Sequence, residues 1–215
     1  MLLATEFPWG KLTRSGSQTA THSLIDHMTD VAAVMYRLLD LPAVQRALQS
    51  AAGRSLTDTD RARLAVLAFL HDIGKASAGF QGKYWIDQRQ RPAGWYAPDC
   101  WHGPQGWGLL ESYRDYWAQR ILVNLPLEAM DTWGEAWLNL LYASISHHGR
   151  PVKSEGHNNQ WEPVQHEDQV LYDPAHTVGA MGAEIQAQYP QAFVHDASDL
   201  PDTAAFTHLF AGLVQ

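Results

Sequence analysis

The sequence is poor in cysteine, and this shortage limits the metal chemistry open to the protein. Its 215 residues include a single cysteine, Cys100. One cysteine excludes an intrachain disulfide framework and any zinc site built from several thiolates. A metal ion would therefore have to be held by histidine, aspartate or glutamate, and the eleven histidines are a high count that points to metal chemistry.

The sequence also lacks the segments that mark secreted and membrane proteins. No apolar run approaches the roughly 20 residues that a membrane-spanning helix needs. The first residues, MLLATEFPWGKL, lack the charged start and the long apolar core of a signal peptide. We therefore expect a cytoplasmic protein with no membrane association. A composition of 46% hydrophobic and 18% charged residues is ordinary for a globular protein.

Positive charge is scarce as well. Aspartate and glutamate total 23 residues against 15 lysines and arginines, which gives a net charge of -8. This balance argues against a protein that coats duplex DNA by neutralising its phosphates. It is compatible with a nuclease, because a metal ion brings its own positive charge and aromatic side chains can hold an unpaired strand.

The hydrophobic periodicity predicts a single all-α domain over residues 1–215, a helical bundle with long loops. Helices are predicted at 23–40, 42–52, 57–74, 105–122, 132–147, 174–188 and 201–215. Thr57 and Asp60 form a variant capping box for the third helix, whose apolar interior predicts that it is the buried centre of the fold. No stretch alternates convincingly like a strand, so we expect an irregular arm at 1–20 and a polar loop at 149–169.

A His-Asp pair, His71-Asp72, follows the apolar run of this central helix. A buried carboxylate without a partner costs several kcal/mol, so a cap, a salt bridge or a metal ion must compensate it. We expect Gly74 to end the helix in a pocket where both side chains could reach one metal ion. A carboxylate there could bridge two metal ions and support phosphodiester hydrolysis. Lys75 is placed to contact a phosphate oxygen or to protonate a leaving group.

Three segments, LIDHMTDVA, FLHDIGKASAGFQ and SISHHG, occur in this order at compatible spacings. With them the chain resembles the HD-type nuclease domain of the CRISPR-associated helicase-nuclease of type I interference systems. HDIGK alone marks the wider HD phosphohydrolase superfamily, and the FQ and paired HH narrow the resemblance to the nuclease branch. The resemblance implies an antiviral nuclease that cuts single-stranded DNA. It implies as partners the type I CRISPR surveillance complex and a helicase domain, in cis or in trans, that feeds the strand.

The resemblance, which covers the chain from about His22 onward, also implies a set of metal ligands. These are His27, His71, Asp72, His102, His147 and His148. The first three would hold one metal ion, and Asp72 with the last three would hold a second. Asp72 and Lys75 are the predicted catalytic residues. Imidazole and carboxylate ligands suit one or two divalent transition metals, and the resemblance favours Mn, Fe, Co or Ni over Zn or Mg.

One feature departs from the family pattern. The family usually completes its first metal site with an aspartate that follows the last apolar helix, and this sequence ends before such a segment. Asp196, Asp199 and Asp202 precede that helix and match the pattern poorly. We therefore expect either that the chain continues in a longer protein or that its first metal ion is weakly held.

Alternative interpretations of these residues remain open. His71-Asp72 could form a helix end in which the imidazole interacts with the helix dipole, and Lys75 could do the same. His27 could be a core histidine. Two alternative functions also remain open: an HD phosphohydrolase acting on nucleotides or cyclic nucleotides, and a catalytically weakened docking module.

Loop aromatics provide a further hypothesis about the substrate. Trp95, Tyr96 and Trp101 lie close in sequence to Arg89 and Arg91. Exposed aromatic rings next to cations are typical of surfaces on which unpaired bases stack. The sequence therefore offers these three rings as candidate stacking platforms.

Overall fold

The computed structural model describes residues 8–15, 18–155, 159–195 and 198–215, so Asp196 lies outside the described residues. The chain is mostly helical, which confirms the predicted fold class. The α-helices are α1 Leu24–Leu38, α2 Pro42–Ala52, α3 Asp58–Phe69, α4 Ala78–Gln81, α5 His102–Glu111, α6 Tyr116–Leu122, α7 Leu127–Met130, α8 Ala136–Ile145, α9 Pro174–Gln188 and α10 Ala204–Val214. Short 3₁₀ helices lie at Leu70–Ala76, Gly82–Tyr84, Gln88–Gln90, Asp131–Trp133 and Pro190–Phe193. Over the described residues, no helix combines the length and the apolar character needed to cross a membrane.

Two small antiparallel sheets correct the prediction that strands are absent. Strand β1 (Trp9–Ser15) pairs with β2 (Gln18–Ser23), and β3 (Val164–His166) pairs with β4 (Gln169–Tyr172). The irregular arm expected at 1–20 and the loop expected at 149–169 are therefore both wrong in part. In β1 only the first two residues, Trp9 and Gly10, are buried, and in β3 only the first. These strands lack an alternating apolar face, so the sequence carried no period-two signal for them.

Two predicted helices have different limits in the structure. The helix expected at 105–122 is two helices, α5 and α6, separated by a turn in which the Asp115 amide donates to the Ser112 carbonyl over 2.7 Å. The helix expected at 132–147 begins only at Ala136. Gly134 has a φ of 88°, a left-handed conformation that an α-helix cannot contain.

The chain divides into two compact units. The first comprises the described residues of Met1–His27, Asp72–Leu125 and Lys153–Gly182. The second comprises those of Met28–His71, Pro126–Val152 and Ala183–Gln215. Each unit has its own buried residues.

In the second unit, α3 is the buried centre, as its apolar sequence predicted. Every side chain from Leu64 to Phe69 is buried, and the helix packs against α8 and the 3₁₀ helix Pro190–Phe193. Arg63 is also buried, where its guanidinium donates to the Ala192 and Ser198 carbonyls over 3.2 and 2.7 Å. The buried cation is thus satisfied by backbone oxygens.

In the first unit, Trp95 belongs to the core. The prediction that its ring is an exposed stacking platform is therefore wrong. Trp95 is 6% exposed and its ring stacks on Tyr172 at 5.7 Å between centroids. Its indole N–H donates to the Ala78 carbonyl over 3.0 Å, and the Tyr172 hydroxyl donates to the Ala76 carbonyl over 2.7 Å. Tyr172 thus contacts the last residue of the 3₁₀ segment that carries Asp72, and Trp95 contacts the start of α4.

The capping box at the start of α3 is confirmed. The Thr57 hydroxyl accepts from the Asp60 amide over 3.1 Å, and the Asp60 carboxylate accepts from the Thr57 amide over 2.7 Å. Arg54 donates to both Asp60 oxygens, over 2.6 and 2.9 Å. Burial alone would raise the pKa of Asp60, but the hydrogen bonds from Arg54 and Thr57 outweigh it and lower the pKa.

The lowered pKa of Asp60 predicts a pH-dependent contribution to stability. We expect Asp60→Asn to lower the free energy of unfolding near pH 7 by about 2 kcal/mol. This is a small loss for a buried ion pair, because the Arg54 side chain is 32% exposed. The contribution is present above the unfolded pKa of about 4 and is lost as the pH falls through the lower folded pKa. Urea denaturation near pH 7 and near pH 3 measures this. The exposed neighbour Asp58→Asn is the control, and an equal loss at both pH values for Asp60→Asn would contradict the assignment.

Candidate metal centre

The His-Asp pair lies where α3 gives way to the 3₁₀ helix Leu70–Ala76. His71 and Asp72 are 5% and 2% exposed, and Asp72 leaves helical geometry with φ -110° and ψ 20°. The α-helix itself ends at Phe69, and the 3₁₀ helix continues through Gly74 to Ala76. The prediction that Gly74 ends the helix is therefore wrong.

Gly74 instead permits a close approach between two segments of the first unit. A β-carbon placed on Gly74 would lie 1.8 Å from the His102 carbonyl oxygen and 2.6 Å from the Gly106 nitrogen. Both neighbours are backbone atoms, so no change of side-chain rotamer could relieve the overlap. The glycine thus allows the Asp72 segment to pack against the first turn of α5, which begins with His102.

Within the first unit, the Asp72 carboxylate is surrounded by nitrogen atoms. His27 Nε2 lies 2.9 Å from Asp72 Oδ2, and His102 Nε2 lies 3.1 Å from Asp72 Oδ1. Lys75 Nζ lies 2.6 Å from Asp72 Oδ2. Three of the predicted ligands therefore meet here, together with the predicted catalytic lysine.

Each oxygen of Asp72, with the imidazole beside it, fits part of the ligand set of a divalent metal ion. Bonds from a metal to imidazole nitrogen and carboxylate oxygen are about 2.0 to 2.2 Å, so neighbouring ligand atoms on one ion lie about 3 Å apart. The separations of His27 and His102 from Asp72 agree with that spacing. The described residues thus include histidine and aspartate groups able to hold a metal ion.

Within the second unit, the other three predicted ligands also lie together. The His71 and His147 rings meet edge to face at 4.9 Å between centroids, and the His147 and His148 rings are 4.2 Å apart. His71 Nδ1 donates to the Ala68 carbonyl over 2.8 Å, and His147 Nδ1 donates to the Ser144 carbonyl over 3.2 Å. Donation from Nδ1 leaves Nε2 unprotonated in the neutral ring, which is the form that binds a metal.

Strand β1 supports the residues around Asp72. No pattern in the sequence indicated this role. Lys75 Nζ donates to the Gly10 carbonyl over 3.0 Å while it pairs with Asp72. A β-carbon on Gly10 would lie 2.8 Å from His27 Cβ, so a glycine is needed for β1 to pass so close to α1. The strand therefore positions both His27 and Lys75.

Phe80 and Gln81 connect β1 to the segments that carry the predicted ligands His102 and Asp72. The Gln81 side-chain amide accepts from the Trp9 amide over 2.9 Å and donates to the Trp9 and Lys75 carbonyls over 3.0 and 2.7 Å. The Phe80 ring contacts the Trp9 ring at 4.6 Å and the His102 ring at 5.5 Å. These contacts explain physically why FQ accompanies HDIGK in the sequence. Trp9 and Gly10 gave no signal, because Gln81 and Lys75, with which they form hydrogen bonds, lie more than 60 residues away.

The other residues that the sequence suggested for the site are the arginines and aromatic rings of the loop and the candidate aspartates before α10. Arg89 pairs with Asp87 and Arg91 pairs with Asp99, so both arginines are already engaged by neighbouring carboxylates. Tyr96 and Trp101 remain exposed, at 86% and 69%. Of the two described candidate aspartates, Asp199 accepts from Arg54 through its carbonyl and Asp202 lies exposed before α10.

Comparisons with known proteins identify the family of the chain. The family model described as "Cas3, HD domain" matches residues 9–215. No curated protein matches the chain. A solved structure described as "Crystal structure of CRISPR-associated protein" is similar, with 23% sequence identity and a TM-score of 0.55. The match covers 96% of this chain and 22% of that one, so this chain spans about a fifth of the length of its structural neighbour. At this identity the likeness shows the fold alone.

The close approach at Gly74 predicts that an added methyl group disturbs metal binding. We expect Gly74→Ala to weaken the binding of Mn²⁺ at least tenfold, because the 3₁₀ segment must move away from His102. Isothermal titration calorimetry measures the affinity. Gly212→Ala is the matched control, since a β-carbon there meets nothing within 4 Å. It should keep metal binding and raise the stability of α10 by up to about 1 kcal/mol. Wild-type affinity in Gly74→Ala would contradict this role.

Proposed function

The chain belongs to the Cas3 HD-domain family, and on that premise we propose that it is a metal-dependent nuclease domain that hydrolyses single-stranded DNA in type I CRISPR interference. The observation that carries the proposal is the Asp72 carboxylate, 2% exposed and about 3 Å from the Nε2 atoms of His27 and His102. Carboxylate and imidazole are metal ligands, and each oxygen of Asp72 lies beside one imidazole, which supports a carboxylate shared by two metal ions.

We propose the following ligand set for the metal ions. His27, His71 and Asp72 hold one, and Asp72 with His102, His147 and His148 holds a second. The support comes from the three ligands collected in each unit and from the chain itself, because His71 and Asp72 are consecutive residues. Nitrogen and carboxylate donors without thiolate suit Mn, Fe, Co or Ni.

A divalent metal ion, when bound, polarises a phosphoryl oxygen and lowers the pKa of water. The protein's own groups hold the reacting parts in place. The ammonium of Lys75, whose side chain is 13% exposed, lies 2.6 Å from Asp72 Oδ2. In hydrolysis a water molecule loses a proton to solvent as its oxygen bonds to phosphorus, the bond to the leaving oxygen breaks, and that oxygen takes up a proton. We propose that the Lys75 ammonium supplies this proton and regains one from solvent, or that it contacts a phosphate oxygen.

The partners of the domain follow from the same premise. We propose that a helicase, in cis or in trans, delivers single-stranded DNA and that the type I surveillance complex recruits the domain. The support is family membership, together with a structural neighbour that is a CRISPR-associated protein of much greater length. Because the net charge is -8, recruitment through protein contacts and local contacts with the strand is more favourable than broad electrostatic attraction to DNA.

The first test is removal of the shared carboxylate. We expect Asp72→Ala and the isosteric Asp72→Asn to abolish cleavage of a labelled single-stranded oligonucleotide in Mn²⁺ or Ni²⁺ and to reduce the bound metal measured by mass spectrometry. Circular dichroism verifies that each variant is folded. Asp202→Asn, which changes an exposed carboxylate, should cleave like the wild type. Unchanged cleavage by Asp72→Asn would refute the assignment.

The same assay separates the alternative functions. Turnover of nucleotides or cyclic nucleotides without cleavage of the strand would favour an HD phosphohydrolase. A folded, metal-free and inert wild-type protein would favour a docking module.

Lys75 has a separate test. We expect Lys75→Met to slow cleavage about 10²- to 10⁴-fold, the range for loss of a general acid, while the protein still binds metal. Single-turnover rates at saturating Mn²⁺ measure the effect. Lys153→Met changes an exposed lysine and serves as the control. A wild-type rate in Lys75→Met would show that the ammonium only offsets the charge of Asp72.

A further inference from the structure

An exposed tryptophan directly precedes one of the proposed metal ligands. Trp101 is 69% exposed, although large aromatic side chains are usually buried in a domain of this size. It occupies the N-cap position of α5 in an extended conformation, and the next residue is His102. The indole is therefore attached to the same turn that places His102 Nε2 3.1 Å from Asp72.

A lysine lies between Trp101 and a buried aromatic ring of the first unit. Lys83 Nζ is 4.7 Å from the centre of the Trp101 ring and 5.0 Å from that of Phe80. Phe80 in turn contacts the His102 ring at 5.5 Å. A cation over an aromatic face is attracted by the ring quadrupole, and this attraction fixes the indole without burying it.

The surroundings of Lys83 add a second positive charge. The Arg14 guanidinium donates to the backbone carbonyls of Lys83 and Tyr84 over 2.9 and 3.0 Å. Asp99, whose carboxylate attracts the Lys83 ammonium, is also paired with Arg91. In a protein with a net charge of -8, these two cations and the exposed Trp101 indole give a local surface suited to an anion with a flat ring.

We propose that Trp101 and Lys83 form a nucleotide subsite next to the metal centre. An unpaired base stacks on the open part of the Trp101 ring, and the adjacent phosphate is bound by the Lys83 ammonium, with Arg14 in reach of the next phosphate. The subsite rests on the proposed function, because it places the strand beside Asp72. Stacking is insensitive to sequence, since every base has a flat aromatic face.

A protein partner would use the same exposed indole differently. Apolar contacts with a partner do not need an ammonium between two rings or a second cation beside it, whereas binding a nucleic acid strand uses both. The alternative therefore becomes an outcome of the test below.

The experiment measures binding in chelator, where no cleavage occurs. Fluorescence anisotropy gives the Kd of the full chain for a labelled oligo-dT and for an abasic oligomer of equal length. We expect Trp101→Ala to weaken binding to oligo-dT about tenfold or more, and Trp101→Phe to keep most of the affinity. Trp101→Ala should change binding to the abasic oligomer little. Tyr116→Ala, which removes a tyrosine that is 87% exposed, is the matched control and should bind both like the wild type.

The salt dependence of binding tests the role of Lys83 separately. We expect Lys83→Met, which keeps the aliphatic chain, to reduce the slope of log K against log salt concentration by about 0.7, the value for one phosphate contact on a single strand. An unchanged slope would remove Lys83 from the subsite.

The possible results separate the subsite from the nuclease. Equal affinity of Trp101→Ala and wild type for oligo-dT would overturn the subsite and leave the indole as a surface for a protein partner. An equal loss on the abasic oligomer would also overturn it, because no base would then be involved. If Trp101-dependent binding is observed while no metal supports cleavage, the subsite stands and the proposed nuclease fails.

Discussion

The buried carboxylate of Asp72 is the constraint on which the first unit depends. An isolated anion in a protein interior costs several kcal/mol, so a side chain that is 2% exposed must be compensated from several directions. His27 comes from α1, His102 from the first turn of α5, and Lys75 from the same 3₁₀ segment as Asp72. Lys75 already balances one negative charge, and a metal ion at the imidazoles would balance it more fully. The fold can therefore retain this carboxylate because it surrounds it with basic nitrogen atoms.

Two glycines allow the segments that carry these nitrogen atoms to pack closely around Asp72. Gly74 lets the Asp72 segment touch the backbone of α5, and Gly10 lets β1 pass beside His27. Gln81 then closes the arrangement, since its side-chain amide holds Trp9 and the Lys75 carbonyl at the same time. The distances around Asp72 are thus set by backbone packing and amide hydrogen bonds.

The sequence could predict those parts of the fold and site that depend on local chemistry. The limits of α2 and α9 and the capping box of α3 follow from proline, glycine and Thr57, and the ligand candidates follow from short motifs. Features that depend on distant partners could not be predicted. Trp95 in a loop looked accessible because its stacking partner, Tyr172, lies 77 residues later. Strand β1 escaped notice because it is held by backbone pairing and a few contacts near its first residue.

In the second unit, the same hydrogen bond to a carbonyl at a helix end orients both His71 and His147. The last carbonyls of an α-helix have no partner within the helix. Ala68 and Ser144 are the penultimate residues of α3 and α8, and each carbonyl accepts from the Nδ1 of a histidine three residues later. The Ser144 hydroxyl also donates to the Leu67 carbonyl over 2.8 Å, which ties the two helix ends together and brings the His71 and His147 rings into contact. Both histidine motifs therefore follow the end of a buried helix, because that is where free carbonyls can set the tautomer that a metal ligand needs.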